Sequence, residues 1–214
     1  MEICWLGHAA FSITSDKGVK IITDPYARVG EINYGEIRET ADVVTVSHDH
    51  PDHDNVAAVR GNPEVVRGTA EIKGIKFWGI STYHDMKKGQ ERGGNTVICF
   101  EVDGMKVCHL GDLGHLLSDK QVAEVGKVDI LLLPVGGGLI IDAKTASQVC
   151  DQLKPKVVIP MHFTNEKFVV SFMSGVDEFL EGKENVTRLD TSKVQFKLAE
   201  LPGSRTILVL QPAL

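Results

Sequence analysis

The sequence lacks the signals of a membrane-spanning or exported protein. No apolar run approaches the roughly 18 residues that cross a bilayer. The first residues also lack the pattern of a signal peptide, a basic segment followed by an apolar stretch. Cysteine is scarce and never occurs as a C-x-x-C pair, which predicts reduced thiols packed in the interior of a cytoplasmic protein. The four residues are Cys4, Cys99, Cys108 and Cys150.

An excess of positive charge is also absent. The 214 residues carry a formal net charge of -6, whereas nucleic-acid-binding proteins usually present a basic face that releases counterions. A nucleic-acid partner is therefore not expected, although a local basic patch stays open. Linkers rich in proline or serine, low-complexity segments and repeats are missing too, so residues 1–214 are expected to form a single domain.

Short apolar runs predict more strands than helices. The predicted strands are Glu2–Trp5, Phe11–Thr14, Lys20–Thr23, Val43–Ser47, Lys76–Ser81, Thr96–Val102, Lys106–Leu110, Ile130–Pro134, Val157–Pro160 and Thr206–Leu210. The turn-like segments SDKG and VDGM indicate two hairpins. Three helices are predicted, one with a Ser118/Gln121 capping box, one from Asp142 to before Pro155, and one over 168–182 closed by Gly182. Mixed sheets covered by helices are the expected outcome.

The sequence contains no serine hydrolase motif of the form G-x-S-x-G. Histidine is the residue type whose positions indicate a functional site. Three histidines and three aspartates occupy the seven positions of HDHPDHD, directly after the predicted strand VVTVS. Three further histidines also follow strand-like runs: His84, His109 and His162. Because ligands gather beyond the carboxyl ends of strands in layered α/β folds, these segments are expected to converge.

The spacing within HDHPDHD is H-x-H-x-D-H. His48 and His50 alternate on a tight turn and can bind one ion, whereas Asp52 and His53 face a second. Imidazole nitrogen and carboxylate oxygen without thiolates suit zinc in a catalytic site rather than a closed structural one. The alternative is a solvated loop that is merely rich in histidine and aspartate.

Together, the segments WLGHAAF, IITDP, SHDHPDH, YHD, CHLGD and VVIPMHF resemble the metallo-β-lactamase superfamily over nearly the whole chain. The resemblance is strongest to a branch of small hydrolases that includes L-ascorbate-6-phosphate lactonase. It implies an α/β fold, the four-layer αββα sandwich, with a metal site at one edge of two sheets.

The resemblance also implies the ligand set. It assigns His48, His50 and His84 to one ion and Asp52, His53 and His162 to the other, with Asp112 bridging both. One carboxylate can bridge because each of its oxygens can bind a different cation. For His84, a polar loop residue is the alternative, since YHD is a short motif.

Other residues receive supporting roles. Asp24 matches an aspartate that braces the metal-binding loop from outside the ligand set, with a plain turn before Pro25 as the alternative. His109 is expected to hydrogen-bond behind the ligands, because it lies three residues before Asp112. His8 is expected beside the ions as a substrate contact or proton carrier, which places it with Asp52 and Asp112 among the predicted catalytic residues. For His115 two interpretations stay open, a residue of the pocket wall or one at the start of a surface helix.

Two divalent ions supply the expected chemistry. A hydroxide that bridges them would attack an ester-like bond while an ion polarises the electrophilic oxygen. Zinc is the first expectation, and Mn²⁺ and Fe²⁺ accept the same donors. The predicted substrate is a lactone or a phosphorylated small-molecule ester. A phosphodiesterase and a metal-binding scaffold or sensor without turnover remain the alternatives.

An anionic substrate would need cations near the site. Lys87, Lys88 and Arg92 follow His84 and are candidate contacts, although each can equally be a solvated loop charge. Gly136–Gly138 can hold an anion through backbone N–H groups or simply let the loop pass close to the metals. The chain leaves no room for the inserted domain of RNA-cleaving relatives or the helical domain of glyoxalase II-like thioesterases. An oligomer of identical subunits stays compatible with the sequence.

Overall fold

The computed structural model describes all 214 residues, which form two β-sheets and three α-helices. The six-stranded sheet contains, in spatial order, β13 (Lys193–Gln195), β1 (Glu2–Gly7), β2 (Ala10–Thr14), β3 (Lys20–Thr23), β4 (Val43–Thr45) and β5 (Glu64–Val66). The eight-stranded sheet contains β12 (Val186–Arg188), β14 (Thr206–Val209), β11 (Val157–Met161), β10 (Ile130–Pro134), β9 (Met105–His109), β8 (Gly94–Val102), β7 (Ile75–Tyr83) and β6 (Ala70–Ile72). The helices are α1 (Asp119–Val125), α2 (Ala143–Leu153) and α3 (Val176–Leu180).

Every strand predicted from the sequence is present, and both predicted hairpins pair antiparallel strands. The turn between β8 and β9 consists of Asp103 and Gly104, which both have positive φ values, 52° and 76°. A two-residue turn with two left-handed residues matches the twist of the flanking strands, which explains why VDGM forms a tight hairpin.

The first two predicted helices are confirmed, and the third is wrong over its first half. Ser118 accepts a hydrogen bond from the N–H of Gln121 in a complete capping box, and Asp142 caps α2 by accepting from Thr145. Residues 168–175 are not helical, and α3 begins only after Gly175. The reason is tertiary, because Phe168 pairs with the backbone of Ile32 and packs edge-on against His8.

Alternating residues of β1 divide the core into two clusters. Ile3 and Trp5 belong to a cluster of 48 buried residues that joins both sheets and α2. Cys4 and Leu6 belong to a second cluster of 15 residues, which Tyr34 and other side chains of the segment 24–42 complete. That segment contains no α-helix, so a loop covers the outer face of the six-stranded sheet, while the helices lie with the larger cluster. All four cysteines are buried, as predicted.

The strand directions decide where the functional residues meet. β9, β10 and β11 run parallel, as do β3 and β4. The carboxyl ends of parallel strands lie at the same edge of their sheet, so the segments that follow them share one end of the molecule. No helix in the structure has the length and apolar character needed to cross a membrane.

Candidate metal centre

The predicted metal ligands gather beyond the carboxyl ends of four strands. HDHPDHD follows β4, His84 follows β7, Asp112 follows β9, and His162 follows β11. Three groups form, and within each the potential ligand atoms all lie within 4.8 Å of one another. We call His48, His50 and His84 group one, and His8, Asp52, His53 and His162 group two. The third group, Asp24, His48 and His53, shares one histidine with each of them.

Asp112 lies between groups one and two, with one carboxylate oxygen toward each. Its Oδ2 is 3.0 Å from Nε2 of His84 in group one. Its Oδ1 is 3.2 Å from Nε2 of His53 and 3.4 Å from Nε2 of His162, both in group two. A carboxylate in this position can bind two cations at once, one through each oxygen.

Three buried atoms between these residues have no hydrogen-bond partner: Nε2 of His53, Nε2 of His162 and Oδ1 of Asp112. Buried polar atoms are normally paired, and service as ligands to an ion is one of the standard reasons why they lack a protein partner. Donors bound at 2.0–2.1 Å to a tetrahedral ion lie about 3.3–3.4 Å apart. The separations of 3.2 Å and 3.4 Å between Oδ1 of Asp112 and Nε2 of His53 and His162 are close to that spacing, so these residues fit a divalent metal ion.

Asp24 and Ser47 orient two of these imidazoles. The carboxylate of Asp24 accepts hydrogen bonds from the N–H of Ser47, at 2.8 Å, and from the Ser47 hydroxyl. It also lies 2.9 Å from Nδ1 of His53. The Ser47 hydroxyl lies 2.9 Å from Nδ1 of His48. Both histidines can therefore donate from Nδ1 and keep the Nε2 lone pair for a metal, which is the usual arrangement behind ligand histidines. Ser47 was not predicted, although it directly precedes His48.

His109 braces the site from behind. Its Nδ1 accepts from the N–H of Gly111 at 3.1 Å, so Nε2 carries the proton and donates to the carbonyl of Ala9 at 2.8 Å. The ring thus ties the strand before Asp112 to the turn that carries His8. It takes no part in either group of potential ligands.

Burial and neighbouring charges shift the pKa values of these imidazoles in opposite directions. Burial lowers the pKa of His8 to about 3 and that of His48 to about 4. Burial also opposes protonation of His53 and His84, but Asp112 outweighs it and raises the pKa of both, that of His53 well above its usual range. Burial opposes the charge on Asp112, but His162 and His53 outweigh it and hold its pKa well below the ordinary value.

A glycine and an asparagine that the sequence did not single out position Asp112. Gly111 has a φ of 55°, and a Cβ there would lie 2.4 Å from Oδ1 of Asn95 and 2.6 Å from Cβ of Ser47. Only glycine fits this close approach. The same Asn95 oxygen accepts from the N–H of Asp112 at 3.0 Å. Glycine before the aspartate of HLGD was the signal that could have revealed the contact.

Asp85 organises the loop after His84. Its two carboxylate oxygens accept four backbone N–H groups, at 2.7–3.1 Å, from Lys87, Gly89, Glu91 and Arg92. The loop closes where the N–H of His84 donates to the carbonyl of Gly93 at 3.2 Å. The sequence showed Asp85 only as the last letter of YHD, because the N–H groups that it binds carry no sequence signal.

The three predicted cationic contacts separate in the structure. Lys87 and Arg92 line a cavity of about 580 Å³ beside His84, whereas Lys88 lines a different cavity of about 870 Å³. Lys87 pairs with Glu91. The guanidinium of Arg92 takes part in none of the ion pairs or hydrogen bonds of the structure, where Arg92 bonds only through its backbone N–H. Arg92 is therefore the free cation of the smaller cavity.

Gly136–Gly138 serve close packing. A Cβ on Gly136 would lie 2.4 Å from the carbonyl oxygen of His162, and one on Gly138 would lie 2.6 Å from that of Phe172. The N–H groups of Gly136 and Gly137 already donate to His162 and Ile141. This loop therefore passes tightly against the segment after β11, and two of its N–H groups are not free for an anion.

His115 accepts a hydrogen bond from the N–H of Tyr83 and lines both cavities.

Comparison with known families agrees with this architecture. The β-lactamase superfamily domain matches residues 2–162, a range that includes both groups and Asp112. The chain belongs to this superfamily and is a metal-dependent hydrolase.

The relatives carry the same description. A UPF0173 metal-dependent hydrolase from Carboxydothermus hydrogenoformans is 34% identical, over 76% of this chain and 84% of the relative. A crystal structure from Thermotoga maritima, assigned to the Zn-dependent hydrolases of the metallo-β-lactamase superfamily, is 38% identical with a TM-score of 0.80, covering 98% of this chain and 97% of that one. An isothiocyanate hydrolase from Delia radicum gut bacteria, at 16% identity, 85% and 91% coverage and a TM-score of 0.63, shares the fold alone. The predicted α/β fold class with two sheets is confirmed, with the loop 24–42 in place of helices on the outer face of the six-stranded sheet.

Proposed function

We propose that residues 1–214 act as one domain with a binuclear centre that hydrolyses an ester-like bond in a small molecule. The first ion would be held by His48, His50 and His84, and the second by Asp52, His53 and His162. The observation that carries the proposal is Asp112, whose two oxygens lie 3.0 Å and 3.2 Å from imidazoles of different groups. Zinc is the first candidate for both positions, with Mn²⁺ or Fe²⁺ as alternatives.

Two divalent ions so placed would bring a water molecule close to its deprotonated form at neutral pH and polarise the bond under attack. The chain's own part is to hold the donors in the correct charge state. Burial opposes the charge on Asp52, but His8 and His53 outweigh it and keep its pKa below the ordinary value. Asp52 therefore stays ionised at neutral pH and acts as an electron-donating ligand rather than as a proton donor.

The cavity beside His84 supports a small anionic substrate. Its volume of about 580 Å³ lies within the range of sites for small molecules. Arg92 offers an unpaired guanidinium, which binds carboxylate or phosphate through two parallel hydrogen bonds. Leu116, Leu139 and Ile140 supply apolar wall for a carbon skeleton. A lactone or a phosphorylated small-molecule ester combines these features.

Metal analysis followed by a hydrolase screen tests the proposal. We expect about two ions per chain after anaerobic loading, and turnover within a panel of lactones, thioesters and phosphodiesters. Asp52→Ala should lower turnover about 100-fold or more. Asp49→Ala is the matched control, because Asp49 lies in the same motif with a side chain that is 85% exposed and paired with Arg67.

The other outcomes are distinct. Fewer than one ion per chain would contradict the binuclear centre. Cleavage of bis-p-nitrophenyl phosphate in preference to lactones, lost in Asp52→Ala, would identify a phosphodiesterase instead. Two tightly bound ions without acceleration of any ester would identify a scaffold or sensor.

A further inference from the structure

His8 occupies a strained turn at the centre of group two. It follows β1, with Gly7 at a φ of 130° and His8 itself at 52°. A Cβ on Gly7 would lie 2.6 Å from the ring of Tyr34, so only glycine can precede His8 here. Left-handed backbone costs a residue other than glycine about 1–3 kcal/mol, and such strain gathers at functional sites.

The backbone of His8 is fixed from two sides. Its carbonyl accepts from Nε1 of Trp5 at 3.0 Å and from the N–H of His162 at 3.2 Å. The imidazole is fully buried, with its ring centroid 3.9 Å from that of His162 and 5.2 Å from that of His53. The ring is therefore held among residues that the proposed function already assigns to the second ion.

The one polar contact of the ring is with Asp52. Nε2 of His8 lies 3.3 Å from Oδ2 of Asp52. A charge-assisted N–H to carboxylate hydrogen bond is usually about 2.7–2.9 Å long, whereas two donors bound at about 2.1 Å to one five-coordinate ion lie about 3.0 Å apart at 90° and about 3.6 Å apart at 120°. The separation fits a shared ion better than a hydrogen bond.

The other ring nitrogen does not argue against a ligand. Nδ1 of His8 is buried without a partner, and the same holds for Nδ1 of His84 and of His162. Those two histidines direct Nε2 toward Asp112. His8 therefore resembles His84 and His162 in this respect, whereas Nδ1 of His48 and of His53 is hydrogen-bonded.

We propose that His8 is a fifth protein donor to the second ion, beside Asp52, His53, His162 and Asp112. This inference rests on the proposed binuclear function and extends its ligand set. The two positions are then unequal, because the first has four donors, from His48, His50, His84 and Asp112. Five donors exceed the four of a tetrahedral site, so with His8 as a ligand the second position favours Mn²⁺ or Fe²⁺, which accept five or six ligands, over zinc, which stays the first candidate for the four-donor position.

Proton NMR of the full chain loaded with Co²⁺ tests this assignment without measuring activity. Each coordinated imidazole gives its own set of hyperfine-shifted ring-proton signals. We expect sets from six histidines in the wild type, because His8 joins the five histidines of the proposed ligand set. His8→Gln should show five sets, and affinity for the second Co²⁺ should fall about 10-fold or more while the first is unchanged.

Two variants accompany the measurement. His8→Asn keeps a residue that tolerates left-handed backbone and should also show five sets. His115→Gln removes a histidine that lies outside both groups and should retain six. The wild-type count alone already decides the matter if the His8 variants fail to fold.

Five sets in the wild type, with two Co²⁺ ions bound, would overturn the assignment and leave a hydrogen bond to Asp52 as the role of His8. The proposed function would survive that result, since its ligands would all be present. Failure of the wild type to bind two ions would instead contradict the proposed function itself.

Discussion

Nδ1 of His53 lies 2.9 Å from Oδ2 of Asp24, and both side chains are fully buried. Burial opposes the charge on Asp24, but His109 and His53 outweigh it and lower its pKa. The carboxylate is thus ionised and accepts a hydrogen bond from Nδ1 of His53, so the neutral imidazole keeps its proton on Nδ1 and leaves Nε2, the atom that faces Asp112, with a free lone pair. The contact would affect the candidate metal centre through the tautomer of His53 rather than through a bond from Asp24 to the metal.

Asp24→Asn should therefore weaken metal binding with little change in volume. The amide can present an N–H to Nδ1 and so favour the wrong tautomer of His53. We expect metal affinity to fall about 10-fold to 100-fold, as for other residues that orient ligand histidines. Competition with a chromophoric chelator measures the change.

Asp129→Asn is the control for loss of a buried carboxylate. Asp129 directly precedes β10, is 1% exposed and belongs to neither group. Its carboxylate accepts a hydrogen bond from the N–H of Lys106 in β9. This variant should keep wild-type metal affinity even if it melts earlier. Equal loss of affinity in both variants would show that the effect of Asp24 is only one of general stability.

Gly111→Ala should destabilise the protein and displace Asp112. The added Cβ meets Asn95 and Ser47 at 2.4–2.7 Å, and the φ of 55° disfavours any side chain. We expect a loss of about 3 kcal/mol or more in the free energy of unfolding, from backbone strain and overpacking together. Denaturant unfolding measures it, and chelator competition shows whether metal affinity falls as well.

Gly18→Ala separates the two causes. Gly18 also has a positive φ, 83°, but no other atom lies within 4 Å of the position that a Cβ would take there. It should lose only the conformational part, about 1–2 kcal/mol. Similar losses in the two variants would mean that the contact with Ser47 and Asn95 can relax, and that Gly111 is not needed for close packing.

The sequence anticipated the elements that carry a strong local pattern and missed those that depend on a neighbour. β5, β6, β12 and β13 have three residues each, too few for alternation to be recognised. They form because a neighbouring strand offers an unpaired edge, as β1 does for Lys193–Gln195 and β4 for Glu64–Val66. Conversely, residues 168–175 have helical spacing, but the contact of Phe168 with His8 outweighs it.

The same division holds at the candidate metal centre. His48, His50, Asp52 and His53 share one short motif, so chain spacing alone brings them together. Asp85 was missed because its partners are backbone N–H groups, which every sequence contains. His8 and Asp52 are 44 positions apart in the sequence, so only the fold could show that their side chains lie close together.

Asp85→Ala should release the loop that follows His84. Four backbone N–H groups lose their acceptor at once, and the segment holds three trypsin sites at Lys87, Lys88 and Arg92. Because proteolysis follows the population of opened loop, we expect cleavage there to accelerate about 10-fold or more. Timed digestion followed by mass spectrometry locates the cuts.

Asp49→Ala is again the matched control, because its carboxylate is exposed and accepts no backbone N–H. It should be cut at the wild-type rate. If Asp85→Ala is also cut at that rate, the four hydrogen bonds do not hold the loop closed.

Metal binding should strengthen as pH rises. In the metal-free chain the pKa values of His53 and His84 lie above 6.5, chiefly because Asp112 is close enough to outweigh their burial. Below those raised values each imidazole carries a proton that a metal ion must displace, so affinity increases with pH and protons are released. Above them the dependence flattens.

Chelator competition from about pH 5 to about pH 9 spans the ordinary histidine range and tests the sign. Calorimetry in buffers of different ionisation enthalpy counts the protons. Asp112→Asn removes the charge that raises both pKa values, so its remaining metal binding should release fewer protons at the same pH. A wild-type affinity that is flat or falls with rising pH would mean that His53 and His84 are already neutral without a metal, and that Asp112 does not govern their protonation.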